Sequence, residues 1–319
     1  MKNLFIAIWL LSTTVLFSQQ KIKFQRIKSM PNEAYAFASS SSNRDVYSLA
    51  GGDDWNSFTG YLQIYDTKID DWLKIPLENL PITSHSSALY MEEYHGIVTL
   101  GGTQPYGGDI ALVEQIRMVN LDDYSVEVLG PNPEAARNMG LAKDGRTIYF
   151  FGGSTQGSPI FKCSNKLFSY DLSTGHLQML PDMPYAMETE GAVVDGNLYV
   201  FGGYNRTSRP NIYKYSIKDN EWTELDPLDK PLSNYSITQY DKYIILVGDH
   251  TLNDQMIIYD TESEKAEYYK MKNVRARSLG AAVSGEYLYV YGGINPRPRY
   301  VRVETYRFNI KEFLESRDQ

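Results

Sequence analysis

Six times along this 319-residue chain an apolar run ends at a glycine pair or its remnant, and no other feature of the sequence constrains the fold so tightly. The runs are Val46–Ala50 before Gly51-Gly52, Ile97–Leu100 before Gly101-Gly102, Ile148–Phe151 before Gly152-Gly153 and Leu198–Phe201 before Gly202-Gly203. Ile244–Leu246 follows, with Val247 read in the first glycine slot ahead of Gly248, and Leu288–Tyr291 precedes Gly292-Gly293. The first slots stand at 51, 101, 152, 202, 247 and 292, so the steps are 50, 51, 50, 45 and 45 residues. A period of this size marks a chain that stacks one supersecondary unit on the next. It replaces the two domains that length alone would suggest.

A second landmark follows each pair. Tyr65 precedes Trp72 by seven residues, as Tyr215 precedes Trp222; Val119 and Val126, Tyr170 and Leu177, and Tyr259 and Ala266 fill the same slots. Turn residues separate them, and Asp195-Gly196-Asn197 reads as a hairpin between the runs Gly191–Val194 and Leu198–Phe201. Each unit therefore reads as four short strands. Glycine suits the slot because it accepts positive φ and lets a neighbouring sheet approach closely. The order apolar run, Gly-Gly, Tyr, Trp resembles the kelch repeat, fully in the units of Trp72 and Trp222 and partly in the other four. The resemblance spans nearly the whole chain after the first segment. It implies an all-β fold, a six-bladed kelch-type β-propeller.

The last unit runs out at Tyr306–Ile310, one strand short. Phe24–Pro31 resembles Leu177–Pro184, each ending in Met-Pro, so residues 22–30 are expected to supply the missing outer strand of blade six and close the ring. Ahead of it, Met1-Lys2-Asn3, the mostly apolar run Leu4–Phe17 and Ser18 read as a secretory signal peptide, too short for a membrane span. The expected layout is a signal peptide at 1–18, a propeller at 19–310 and a charged tail at 311–319, located outside the cytoplasm as a secreted or periplasmic monomer.

Composition removes several functions. A net charge of -8 argues against nucleic acid as partner. One Cys and four His leave no disulfide framework and no metal-ligand spacing, so neither metal nor cofactor is expected.

In a propeller the loops leading into the inner strands and those following the glycine pairs meet on one face around the central channel. Aligning back from the pairs places Tyr35, His85, Arg137, Glu188, Ser233 and Arg277 at the first set of loops. The second set adds Tyr204, Arg206, Arg209, Arg297 and Arg299, with Trp55 and Tyr106. Arginine forks suit carboxylates and phosphates, and aromatic rings beside them suit sugar faces. The same arginines could instead pair with Glu188 and Glu190 to hold blades together.

Two enzyme families with kelch propellers offer alternatives. Some secreted kelch propellers resemble galactose oxidase, which needs a Cys–Tyr copper centre, but here Tyr94-His95 lies in a turn away from the loop face and Cys163 has no matching partner. The resemblance to N-acetylneuraminate mutarotases implies a glutamate just past a glycine pair and an arginine beyond it. Tyr204 stands in that glutamate slot here, which leaves Glu188 or Glu190 as base and Arg209 or Arg299 as cation, with Glu188 and Arg209 as the candidates. The leading reading is an exported module that binds a glycan, sugar acid or protein on its loop face. A sugar-acid mutarotase and a structural envelope or adhesion module are the alternatives.

Overall fold

The computed structural model describes residues 20–53, 57–107, 109–156 and 161–317. The expected leader at 1–18 and Trp55 lie outside the described residues. Six antiparallel sheets, taking their strands mostly in chain order from inside to outside, form the blades of a β-propeller. The inner strands are Ala38–Ser41, Ser87–Met91, Gly140–Asp144, Glu188–Val194, Ser236–Tyr240 and Gly280–Ser284. Each lies beside the inner strand of the next blade, and the sixth meets the first.

Residue size explains the layering. Inner strands converge on the axis and use Ala, Ser and Gly, as in Ala38-Ser39-Ser40-Ser41 and Gly280-Ala281-Ala282. Second strands are covered on both faces by neighbouring blades, so they read as continuous apolar runs; Tyr243–Val247 is buried at every residue. Outer strands meet solvent, and none of Glu221–Leu225 is fully buried. The core lies between blades. Val98 and Leu100 of blade two, for example, pack with Leu141, Phe150 and Phe168 of blade three. Burying a side chain such as Phe150 contributes about 1.5–3 kcal/mol.

The glycine pair turns out to face two blades at once. At Gly202 (φ 51°) a Cβ would stand 2.4 Å from the Leu232 carbonyl of the next blade. At Gly203 (φ 114°) it would stand 2.7 Å from the Glu188 carbonyl of the same blade. The backbone corrects the slot assignment in two blades. In blade one the left-handed pair is Ala50 (φ 57°) and Gly51 (φ 101°), not Gly51-Gly52. In blade five Gly248 (φ 79°) holds the first slot and Asp249 replaces the second glycine. The first slots are therefore 50, 101, 152, 202, 248 and 292. Asp249 compensates with its carboxylate, which accepts from the backbone N–H groups of Ser233, Thr251 and Leu252.

The N-terminal segment closes the ring, but not over the whole of 22–30. Gln25–Arg26 pairs antiparallel with Thr305–Asn309 as the outer strand of blade six. The match between its two Met-Pro endings holds in space: Trp72 Nε1 donates to the Lys28 carbonyl, as Trp222 Nε1 does to Pro181. Gln20–Ile22 instead runs parallel to Lys265–Met271 and adds a fifth strand to blade five. The crossing between blades is fixed by Asn273, whose side chain bonds both the N–H and the carbonyl of buried Phe24. The expected tail also differs. Ile310–Glu315 is a short helix, capped by Asn309, that buries Ile310 and Leu314 against blades five and six. An apolar pair spaced by four residues makes a helix face in a stretch whose charges suggest solvent.

A channel with a broken mouth

The loops leading into the inner strands are tied together around the axis. Tyr35, Ser84, Arg137 and Arg277 each form a bridge to the residue after their own blade's glycine slots, and Glu188 does the same with Tyr204. The sequence alignment thus holds in register, except that Ser84 rather than His85 takes the slot in blade two. The following residue is left-handed in five blades: Ala36, His85, Asn138, Asn234 and Ser278, with φ between 48° and 57°. These kinks let neighbouring loops bond one another. The Ala36 N–H donates to Ser278 O (3.1 Å), His85 to Ala36 O (2.7 Å) and Asn138 to His85 O (2.9 Å). Ser278 N–H reaches Asn234 Oδ1 at 3.2 Å.

Blade four breaks this ring. Its inner strand starts early, at Glu188, with a bulge between Glu188 and Glu190. Both glutamates enter the wall of a cavity of about 1060 Å³ that follows the axis. At this mouth it is also lined by His85, Tyr204, Ser233 and His250; at the other by Glu92, Asp144, Arg146 and Asp195. Tyr235 seals the bulge: its hydroxyl accepts from the Glu190 N–H at 3.3 Å and donates to Phe201 O at 2.5 Å.

Burial governs the protonation of these groups. It pushes Glu190 up to about 8. It also raises Glu188, opposed by a hydrogen bond from Asn138 and by Arg137, whose Nε lies 3.5 Å from Glu188 Oε1. Burial, then the Arg137 charge, holds His85 down to about 4, so it is neutral at pH 7. His85 Nδ1 sits 2.9 Å from Ser84 Oγ.

Among the residues placed on the loop face from the sequence, His85, Glu188, Tyr204 and Ser233 line the cavity. Tyr35 packs under Gly52 with Ile294 and Val301. Arg137 stands behind Glu188, in line with the blade-holding alternative for it. Arg209 stacks on the Tyr185 ring at 3.5 Å and is not in the cavity wall, so the pairing of Glu188 with Arg209 is not assembled there. Arg277 bridges Ile294 through its backbone and is half-buried. Arg206, Arg297 and Arg299 are exposed on two hairpins at the same face. The arginines thus surround the channel without lining this mouth. Cys163 lies under the Tyr204 carbonyl, and burial raises its thiol to about 11. Tyr94 lines the opposite mouth, so the two do not meet. Among the described residues no group of three or more His, Cys, Asp or Glu is arranged to hold a metal ion.

Sequence reasoning overlooked Asn138 and Asn234 at the kinks and Arg302 in the core. The asparagines carried a signal, since Asn tolerates the left-handed region better than most residues. Arg302 donates to Arg275 O and Tyr306 and pairs with Glu304, tying the sixth blade's loop.

Six blades, each built on four antiparallel strands around an axial channel, with glycine slots in register and Tyr–Trp pairs in two of them, define a β-propeller of repeated blades. The family model described as the KLHDC2/KLHL20/DRC7 Kelch-repeats domain matches residues 37–248 and 140–314, and the chain belongs to the kelch-repeat family. Among curated relatives, Kelch-like protein terF of Aspergillus terreus is 23% identical over 68% of this chain and 51% of its own length. Kelch-like protein 38 of Rattus norvegicus is 27% identical over 79% of this chain and 43% of its own. The Kelch repeat and BTB domain-containing protein 1 of cowpox virus is 25% identical over 72% and 40%. The chain spans about half or less of the length of these relatives. No described helix is long and apolar enough to cross a membrane.

Proposed function

We propose that this propeller is an exported binding module that docks a protein partner with acidic groups on its surface, using the hairpin tips around the channel mouth. One observation carries the reading. Tyr106, Tyr204 and Tyr300 are 72%, 37% and 42% exposed, on hairpins that rise from the same face. Arg206, Arg297 and Arg299 stand on two of those hairpins. Exposed tyrosine and arginine on a rigid frame are the residue types that carry most binding energy at protein interfaces. Arginine forks add selectivity for carboxylates. Export rests on the apolar segment Leu4–Phe17 and the small residue that follows it.

The test compares wild type with a Tyr204→Ala, Arg206→Ala, Arg299→Ala triple variant as bait in the extracytoplasmic fraction of expressing cells. Capture of a defined protein, lost with the triple variant while the melting temperature stays unchanged, supports the reading. Equal capture by both proteins refutes it. A glycan array run with the same pair reports whether a sugar is bound instead. N-terminal sequencing of the protein recovered outside the cytoplasm should begin near Gln19 if the leader is removed.

A further inference from the structure

The channel differs in charge from the rim around it. Its wall carries Glu92, Glu93, Asp144, Glu188, Glu190 and Asp195, against Lys143 and Arg146 as strong bases. Both bases are engaged: the Lys143 ammonium donates to Tyr90 O at 2.6 Å, and Arg146 pairs with Glu93. Glu188 has Arg137 behind it. Glu190 is different. It lies inside the channel wall, and its carboxyl has no hydrogen bond or ion pair among the described residues. The nearby Tyr235 hydroxyl is occupied by backbone groups of Phe201 and Glu190. Blade four therefore breaks the ring of loop-to-loop hydrogen bonds and presents a carboxyl group that nothing among the described residues satisfies.

We propose that this mouth of the channel is a binding site for the cationic end of a ligand, an ammonium or guanidinium group, received by Glu190. A low-dielectric wall with excess carboxylates focuses negative potential along the axis and draws in a cation. A half-buried carboxyl facing the channel gains most from a charged donor, because a charge-assisted hydrogen bond is shorter and stronger than a neutral one. The receiving group is the wall carboxyl of Glu190 rather than the Arg-bearing tips; Tyr204 borders both, and the variants used below leave every tip residue intact.

The chemistry predicts a proton in the exchange. With its pKa near 8, most Glu190 is protonated at pH 7. An incoming cation favours the ionised form, and the displaced proton leaves to solvent. Binding therefore tightens as pH rises toward 8. The other titratable or charged groups around this mouth are Glu188 with Arg137, His85, Tyr204, Tyr235 and His250. His85 is held neutral and Tyr235 is pushed above its ordinary range, so neither titrates in that window. His250→Gln serves as the control for the remaining imidazole.

The experiment is calorimetric titration of the full chain at pH 7 in two buffers of different ionisation enthalpy. The probes are 1,5-diaminopentane and a capped glycine peptide with one central lysine. The expected result is saturable binding of at least one probe, with net proton release. Glu190→Gln should weaken it tenfold or more and abolish the proton release, and His250→Gln should preserve both. A tighter diamine identifies a free amine as the natural source, and a tighter peptide identifies a side chain of a polypeptide. Glu190→Asp, which keeps the charge, should retain binding and shows that a loss in the glutamine variant is not misfolding. Absence of saturation by either probe at millimolar concentration overturns the proposal. So does unchanged affinity in Glu190→Gln.

Discussion

Gly202 leaves no room for even one added carbon. Its left-handed backbone and the Leu232 carbonyl 2.4 Å from an added Cβ both oppose a side chain. Gly202→Ala should lower unfolding free energy by about 2–4 kcal/mol, combining strain with displacement of the next blade. Urea unfolding measures it, and a loss near zero would mean that the slot does not set blade spacing. Glu190 makes a second prediction at this scale. A glutamate titrating at 4.5 when unfolded and near 8 when folded stabilises the fold fully below 4.5. That contribution fades as pH rises through 8. Glu190→Gln removes the dependence, so the variant should gain on wild type steadily between pH 5 and pH 8. A constant difference across that window would show that the carboxyl is not buried in the folded state. The glycine slots were legible residue by residue, with two slips. Ala50-Gly51-Gly52 offers two readings of one pair, and only the backbone shows that Ala50 takes the strained position. In blade five Asp249 replaces a glycine with a side chain that bonds three N–H groups, a substitution that resembles no repeat signal.

Among the elements, the closing strand was readable because Met30-Pro31 repeats Met183-Pro184, and Trp72 uses Lys28 as Trp222 uses Pro181. The strand before it was not readable. Gln20–Ile22 pairs with an edge that exists only once blade five is folded, so nothing local to those residues announces it. The early start of the fourth inner strand was hidden for a similar reason, since Glu188–Glu190 departs from the kink only by what it fails to do. The hairpins carrying Arg206, Arg297 and Arg299 follow their blades' glycine slots, yet their reach outward depends on loop geometry that the repeat does not encode. Phe24 tests the closure. It is fully buried, it packs on Phe308 at 5.2 Å, and its backbone is held by Asn273. Phe24→Ala should cost about 3–5 kcal/mol in a thermal or urea melt. A cost comparable to a surface substitution would show that the N-terminal segment merely decorates a ring already closed by other contacts.

For the molecule as a whole, the closing strand has a consequence in time. Arg26 is made early, and its partner Tyr306 follows about 280 residues later. At the usual rate of synthesis that gap lasts roughly 15–60 s, during which blades one to five can stack but the ring cannot shut. A strand made near the start of the described chain is therefore the last one seated. Until that strand is seated, the outer edge of Thr305–Asn309 has no neighbour, and an unpaired edge can recruit a strand from another molecule. A circular permutant joining residue 317 to residue 20 through a short linker, with new termini in the turn Asp195-Gly196, moves the late step to blade four. Its refolding should lose the concentration-dependent aggregation that a waiting N-terminal strand invites, or transfer it to the new edge. Identical aggregation in both proteins, traced to the Thr305–Asn309 edge by cross-linking, would show that the order of synthesis does not govern how the ring is shut.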